Sequence, residues 1–215
     1  LAGAKRPVAL AGRGALLANT PAAFRKFVEA WKLPFLTTYK AKGIAGDTHP
    51  LCLGSVGLSP VVDAENLALI KEADCIVLVG FDPIELRDAW LDAWPQALPV
   101  ISIDWAALNH RIFPVGEEAL GDVPSILAQL LPASPASNAW PAERFATLRA
   151  RVAYIVRPRS PAKGISPAAL FRAVSEQAKD ARTMTVDVGL HPVPPNHVPH
   201  RPPTGPARPT ITLPP

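Results

Sequence analysis

Short apolar runs with the composition of buried strands recur through the first half of the chain. Cys75–Val79 is the clearest, because it is apolar on both faces, follows an acidic turn and ends at Gly80. Such a run predicts a strand buried in a parallel sheet with helices above and below. Similar runs predict strands over Pro7–Gly12, Pro34–Tyr39 and Pro99–Asp104.

Segments with helical features separate these strands. Thr20 followed by Pro21 predicts a helix start, and apolar residues then recur at helical spacing. Further helices are predicted over three ranges: Pro60–Lys71, Ile84–Trp94 and Gly121–Leu131. The glycine-rich segment Lys40–Ser59 has no helical period and predicts a long loop, functional or disordered. Strands alternating with helices over residues 1–132 predict an α/β fold with a doubly wound, mostly parallel, Rossmann-like sheet.

The second half of the chain predicts three shorter regions. Residues 133–163 form a linker that contains a helix over Ala142–Val156. Residues 164–191 predict the start of a second, incomplete α/β unit, with a helix beginning at Ser166-Pro167 and a strand over Thr183–Gly189. Residues 192–215 contain ten prolines and few aliphatic residues, which predicts a disordered tail. We interpret this tail as a truncation or frameshift product, and a proline-rich ligand for a partner protein is the alternative.

Composition and charge narrow the functional classes. Nearly half of the residues are hydrophobic (48%), enough for a sizeable core, and no apolar run is long enough to predict a membrane span. The net charge of +4 is uneven, with 11 basic and 14 acidic residues up to Leu131 and 11 basic and 4 acidic residues after it. The basic half has no Lys/Arg cluster, so nucleic-acid binding is not expected.

The termini and the cysteines suggest a compartment. No signal peptide is visible, and the chain begins without Met, as expected of a fragment or a processed product. Cys52 and Cys75 have neither disulfide-framework nor metal-site spacing, which also favours a reducing cytoplasm.

Gly12-Arg13-Gly14 follows the first strand and matches half of a dinucleotide-binding fingerprint. The full pattern needs a third glycine where this chain has Leu17, so the match also fits an ordinary strand-to-helix turn. Asp104 ends another strand, where it would hold a ribose hydroxyl or cap a helix that begins at Trp105.

The loop after Gly80 carries Asp82, Glu85 and Arg87. Arg87 would face a phosphate or form an exposed ion pair with Glu85 or Asp88. His49 has no partner at metal-ligand spacing and predicts a turn histidine. These patterns indicate a nucleotide-binding-like α/β domain, and they identify no catalytic group.

The order of several short motifs resembles the central domain of thiamine diphosphate-dependent enzymes, especially the acetolactate synthase-like group. The motifs are Ala11–Gly14, Leu33–Thr38, Lys42-Gly43, His49-Pro50, Gly54–Gly57, Ala73–Gly80 and Ile103-Asp104. Thr185–His191 also resembles the first strand and loop of the family's diphosphate-binding domain. The resemblance implies a Rossmann-like domain of the DHS-like NAD/FAD-binding type.

The resemblance implies cofactors as well. Thiamine diphosphate and Mg²⁺ would bind in the intact enzyme, with Gly189 and His191 near the diphosphate. Leu190 stands where acetolactate synthases usually have glutamine. Acetolactate synthases also bind FAD in this domain, and the corresponding positions here are Gly12, Arg13, Gly14, Gly80, Asp82, Arg87 and Asp104.

Two functions are therefore considered. The first is a fragment of a thiamine diphosphate- and Mg²⁺-dependent carboligase or decarboxylase of 2-oxo acids. That fragment would be inactive alone, because the family's activating glutamate and Gly-Asp-Gly…Asn metal motif are absent from it. The intact enzyme is expected to be a homo-oligomer. The second is a stand-alone FAD- or NAD-binding module without catalysis.

Overall fold

A computed structural model describes residues 1–86, 88–90, 94, 97–108, 115–134, 136–158, 164–177, 183–185 and 210–212, with the backbone alone at 88, 183–185 and 210–212. The strands are β1 Pro7–Ala11, β2 Phe35–Thr38, β3 Cys52–Val56, β4 Cys75–Val79, β5 Val100–Asp104, β6 Glu117–Leu120, β7 Thr183–Thr185 and β8 Thr210–Thr212. The helices are α1 Arg13–Leu17, α2 Pro21–Ala30, α3 Pro60–Glu72, α4 Val123–Gln129, α5 Ala142–Ile155 and α6 Pro167–Gln177, and two 3₁₀ turns lie at Pro83–Glu85 and Asp88–Trp90.

Six of these strands form one all-parallel sheet in the order β3-β2-β1-β4-β5-β6. Alternate residues of each central strand face opposite layers: Leu10 packs in the core that also contains Leu69 of α3, whereas Ala9 packs in the core that contains Phe27 of α2. Helices therefore cover both faces, and the predicted doubly wound α/β fold is confirmed. Chain order reverses between β1 and β4, which is where such sheets bind ligands.

Most of the predicted elements occur close to their expected bounds. β1, β2, β4 and β5 lie within the predicted strand ranges, and α3 begins at Pro60, where Ser59 accepts a hydrogen bond from the Val62 amide at 3.4 Å. α2 begins at Pro21 as expected, but the Thr20 side chain makes no capping hydrogen bond. α4 begins after Asp122, whose carboxylate accepts from the Ser125 amide at 3.0 Å.

Two predictions in this half of the chain were wrong. The segment Lys40–Ser59 contains β3, which was concealed by Gly54 with φ +116° at an irregularity in the β2–β3 pairing. The single helix predicted over Ile84–Trp94 is replaced in the described residues by the two 3₁₀ turns, because Leu86 has an extended backbone with φ −111° and ψ 159°. α1 and the edge strand β6 were not predicted.

The segment that follows α4 packs against the sheet domain. The indole nitrogen of Trp140 donates to the Pro7 carbonyl at 2.9 Å, and Leu148 of α5 is fully buried in the core beneath α3. Arg144 of α5 forms an ion pair with Glu72 at 2.8 Å. Helix α5, predicted within a linker, thus contributes to the core of the preceding domain.

Farther along, α6 begins at Pro167 with the Ser166 hydroxyl accepting from the Ala169 amide at 3.2 Å. β7 pairs in parallel with β8, so three residues of the predicted disordered tail form a strand, and the rest of that tail lies outside the described residues. No helix in the described part of the chain has the length and apolar character to cross a membrane.

Candidate functional site

A crevice of about 290 Å³ opens at the carboxyl ends of β1, β4 and β5. This volume lies near the lower end of the range for small-molecule sites, which is roughly 300–1,000 Å³. Its lining residues come from the segments that follow four strands: Arg13, Gly14, Leu17, Lys40, Gly80, Phe81, Asp82, Pro83, Glu85 and Asp104–Leu108.

Three glycines let the ends of β1 and β4 approach closely. A Cβ added at Gly12 would lie 2.5 Å from the Gly80 carbonyl oxygen, and one at Gly14 would lie 2.9 Å from the same atom. At Gly80, which has φ +54°, a Cβ would collide with the Ala15 backbone nitrogen. The glycines of the Gly12-Arg13-Gly14 turn are therefore needed first of all for the close packing of the ends of β1 and β4.

The amides of this first turn all have partners within the protein. The Gly12 amide donates to the Val79 carbonyl at 2.9 Å, and the Gly14 amide donates to the Gly80 carbonyl at 2.8 Å. The Arg13 amide donates to Glu85 Oε1 at 3.0 Å. A phosphate in the crevice therefore cannot be bound by these amides, as it is in a complete dinucleotide fingerprint, without displacing a bond.

Glu85 is buried, with 2% of its surface exposed, and its carboxylate joins two strand ends. Besides the Arg13 amide, it accepts a hydrogen bond from the hydroxyl of Thr38, which is itself fully buried. Burial raises the pKa of Glu85 above its ordinary value, and the two hydrogen bonds and Lys40 oppose that rise. Glu85 is thus a buried structural carboxylate. The ion pair with Arg87 that the sequence offered stays a prediction, because Arg87 lies outside the described residues.

Two cationic side chains line the crevice. Arg13 is exposed, Lys40 is half-buried, and no described residue forms an ion pair with either of them. The Lys40 ammonium lies 5.6 Å from the ring centroid of Tyr39. These two charges follow β1 and β2, so they stand on neighbouring strand ends and are available to an anionic ligand.

Two further acidic residues of the crevice, Asp82 and Asp104, lie at the ends of β4 and β5. Asp104 accepts from the Trp105 amide at 2.7 Å, and burial raises the pKa of its carboxyl, with the nearby Asp82 adding to the rise. Asp82 Oδ1 accepts from the Ile84 amide at 3.1 Å. Residues 105–108 form no helix, so the helix cap considered for Asp104 is wrong and its carboxylate caps a bend instead.

The structure brings together six of the residues singled out from the sequence: Gly12, Arg13, Gly14, Gly80, Asp82 and Asp104. Arg87, Gly189 and His191 lie outside the described residues. Lys40 and Trp105 were missed as crevice residues, although Trp105 directly follows β5 and Lys40 lies two residues after β2. His49 lies in a turn as predicted, and its Nε2 contacts Glu29 Oε1 at 3.1 Å.

Comparison with known proteins gives one family and several relatives. Residues 1–130 match the family described as thiamine pyrophosphate enzyme, central domain. The chain is 40% identical over 136 residues to human (Homo sapiens) 2-hydroxyacyl-CoA lyase 1, covering 60% of this chain and 21% of that protein. It is 39% identical over 139 residues to oxalyl-CoA decarboxylase of Escherichia coli (strain K12), covering 61% and 22%.

A longer alignment reaches beyond the sheet domain. The chain is 30% identical over 197 residues to the acetolactate synthase large subunit of Parasynechococcus marenigrum (strain WH8102), covering 87% of this chain and 31% of that protein. The chain therefore spans between about a fifth and a third of the length of these relatives.

Proposed function

The chain belongs to the thiamine pyrophosphate enzyme family through its central domain, and we propose that it is part of a thiamine diphosphate- and Mg²⁺-dependent carboligase or decarboxylase of 2-oxo acids. The names of the three relatives, a lyase, a decarboxylase and a synthase, support this reaction class. When bound, thiamine diphosphate supplies a carbanion-stabilising centre. Gly189 and His191, the residues proposed to lie near its diphosphate, are outside the described residues.

Within that enzyme, this domain binds the nucleotide portion of a ligand such as FAD. The observation that carries this proposal is the crevice at the point where strand order reverses, with Arg13 and Lys40 on one side and Asp104 on the other. The fit is partial: about 290 Å³ suits the ADP portion of FAD better than the whole molecule. Because the turn amides are bonded internally, the phosphates would contact the Arg13 and Lys40 side chains.

Binding through side-chain charges predicts a salt-dependent affinity. We expect ADP to bind the purified 215-residue chain in a calorimetric titration, and its Kd to rise about tenfold in Arg13→Ala or Lys40→Ala. Lys26→Ala is the matched control, since Lys26 is exposed on α2 and does not line the crevice. ADP binding that is unaffected by salt and by both crevice variants would contradict this arrangement.

The chain alone is expected to be inactive. Purified chain supplied with thiamine diphosphate, Mg²⁺ and pyruvate should release no CO₂, whereas turnover would refute the proposal that further parts of the enzyme are required. We also propose that the intact enzyme is a homo-oligomer located in the cytoplasm. The two free, buried cysteines support the cytoplasmic location, because reduced thiols persist there.

The alternative of a stand-alone FAD or NAD module is not favoured by the comparisons, because the relatives carry the names of enzymes. The two proposals are separated by joining the chain to the missing parts of a related enzyme. Activity restored in the joined protein supports the enzyme fragment. Nucleotide binding with no restored activity supports the module.

A further inference from the structure

One large aromatic side chain that lines the crevice is largely exposed to solvent. All five tryptophans lie in the described part of the chain; Trp90, Trp94 and Trp140 are buried, and Trp31 is half-buried. Trp105 alone is exposed, with 65% of its surface accessible, and it lines the crevice. An indole that is 65% exposed gains little from the hydrophobic effect in this position, and a planar ligand in the crevice would cover its open face.

Hydrogen bonds to Asp104 hold the backbone at Trp105, although the Trp105 side chain is exposed. Its amide donates to Asp104 Oδ1 at 2.7 Å, and the Ala106 amide also bonds this carboxylate. Asp104 is buried at the end of β5, next to a central strand. The indole is therefore carried on a short, internally bonded bend, which limits the entropy lost when a ring stacks on it.

Charged and aromatic side chains lie after the ends of four neighbouring strands, in the order of the sheet. Lys40 follows β2, Arg13 follows β1, Asp82 follows β4, and Asp104 with Trp105 follows β5. Three strand spacings separate the two ends of this series, about 14 Å. Both cations stand at one end, beside the buried Glu85 carboxylate that also lines the crevice, whereas Asp82 and Asp104 stand toward the other end, where Trp105 is exposed. The phosphates, ribose and base of an extended nucleoside diphosphate would fit this series in that order.

From this juxtaposition we infer that Trp105 is the stacking platform for the base of the nucleotide and selects ligands that carry a planar ring. The inference rests on the proposed function and deepens it by assigning the ligand's direction in the crevice. The base lies at the β5 end and the phosphates at the β1–β2 end. Asp104 lies between them, where its carboxylate can accept a ribose hydroxyl.

The experiment compares ADP with ribose 5-phosphate, which lacks the base, on the full 215-residue chain. Removing a stacked aromatic side chain costs about 5- to 150-fold in affinity per base. Trp105→Ala should therefore weaken ADP binding by that factor and leave the affinity for ribose 5-phosphate within about twofold. Trp105→Phe should retain most of the ADP affinity, because it preserves an aromatic face. Tyr154→Ala, which removes another aromatic residue that is 65% exposed but lies on α5 outside the crevice, is the matched control.

Tryptophan fluorescence supplies a readout that a purely structural role would not change. ADP should protect one tryptophan from acrylamide quenching in the wild type, and that protection should disappear in Trp105→Phe although calorimetry still detects binding. Equal loss of ADP and ribose 5-phosphate affinity in Trp105→Ala, or protection that persists in Trp105→Phe, would overturn the stacking role and leave the proposed function standing. Wild type that binds neither ADP nor FAD would overturn both.

Discussion

Removing the Glu85 carboxylate tests the internal bonding that holds the first turn in place. Glu85→Ala leaves two donors without their acceptor: the fully buried Thr38 hydroxyl and the part-buried Arg13 amide. An orphaned buried donor costs about 1–3 kcal/mol, and the Arg13 amide belongs at the lower end because water can reach it. We therefore expect the free energy of unfolding to fall by about 2–4 kcal/mol.

Glu85→Gln is the decisive companion variant. Its amide oxygen can accept from the Arg13 amide, and its NH₂ group can donate to the Thr38 oxygen, so both contacts persist without a buried charge. Because burial raises the pKa of Glu85, folding favours its protonated form. The stability that this protonation contributes is fully present below the unfolded-state pKa of about 4.3 and is lost as pH rises through the folded pKa. The glutamine variant has no such loss.

Chemical denaturation measured at a series of pH values tests both statements. The unfolding free energy of Glu85→Gln minus that of the wild type should increase as pH rises from about 4.3 through the folded pKa and then level off. Glu143→Gln, an exposed glutamate at the start of α5, should stay within about 0.5 kcal/mol of the wild type throughout. A pH-independent difference for Glu85→Gln, or equal losses in the alanine and glutamine variants at pH 8, would contradict the buried, hydrogen-bonded position of the Glu85 carboxylate.

Three further variants or probes test other parts of the fold. Gly80→Ala should lower the free energy of unfolding by about 3–5 kcal/mol, because the added Cβ collides with the backbone. Gly54 also has a positive φ but faces open space, so Gly54→Ala should lower it by only about 1–2 kcal/mol. Thermal or chemical unfolding measures both changes. Leu148→Ala should cost about 2–5 kcal/mol if α5 folds with the sheet, whereas equal stability to Tyr154→Ala would contradict that packing. Cys52, whose pKa burial raises to about 11, should react with a disulfide reagent at pH 8 only at the rate of unfolding, and rapid labelling of the native chain would contradict its burial.

The sequence predicted the sheet best where burial on both faces makes the pattern unambiguous. Cys75–Val79 could be assigned because all five residues are apolar and all five are buried. β3 could not, because Gly54 interrupts the strand pattern at an irregular edge pairing that depends on β2. β6 begins with Glu117 and Glu118, residues that favour helices, and it forms a strand only because β5 offers a free edge.

Only those parts of the candidate site that lie next to a predicted strand in the sequence could be predicted. Gly12 and Gly14 follow a strand directly, so their position at the crevice could be inferred from the sequence alone. Glu85 could not be recognised as buried, because its partners Arg13 and Thr38 are 72 and 47 residues away in the chain. The position of Trp105 directly after a strand was visible in the sequence, but its exposure, which separates it from the other tryptophans, was not.

An NMR titration of the isotopically labelled 215-residue chain with ADP tests whether the crevice is the nucleotide site, because it locates the ligand as well as detecting it. We expect saturable shift changes at the amides of Arg13 and Gly80 and at the Trp105 indole N–H, with α5 unaffected. An absence of shift changes at millimolar ADP, or changes confined to residues away from the ends of β1, β4 and β5, would contradict the assignment of this crevice as the nucleotide site.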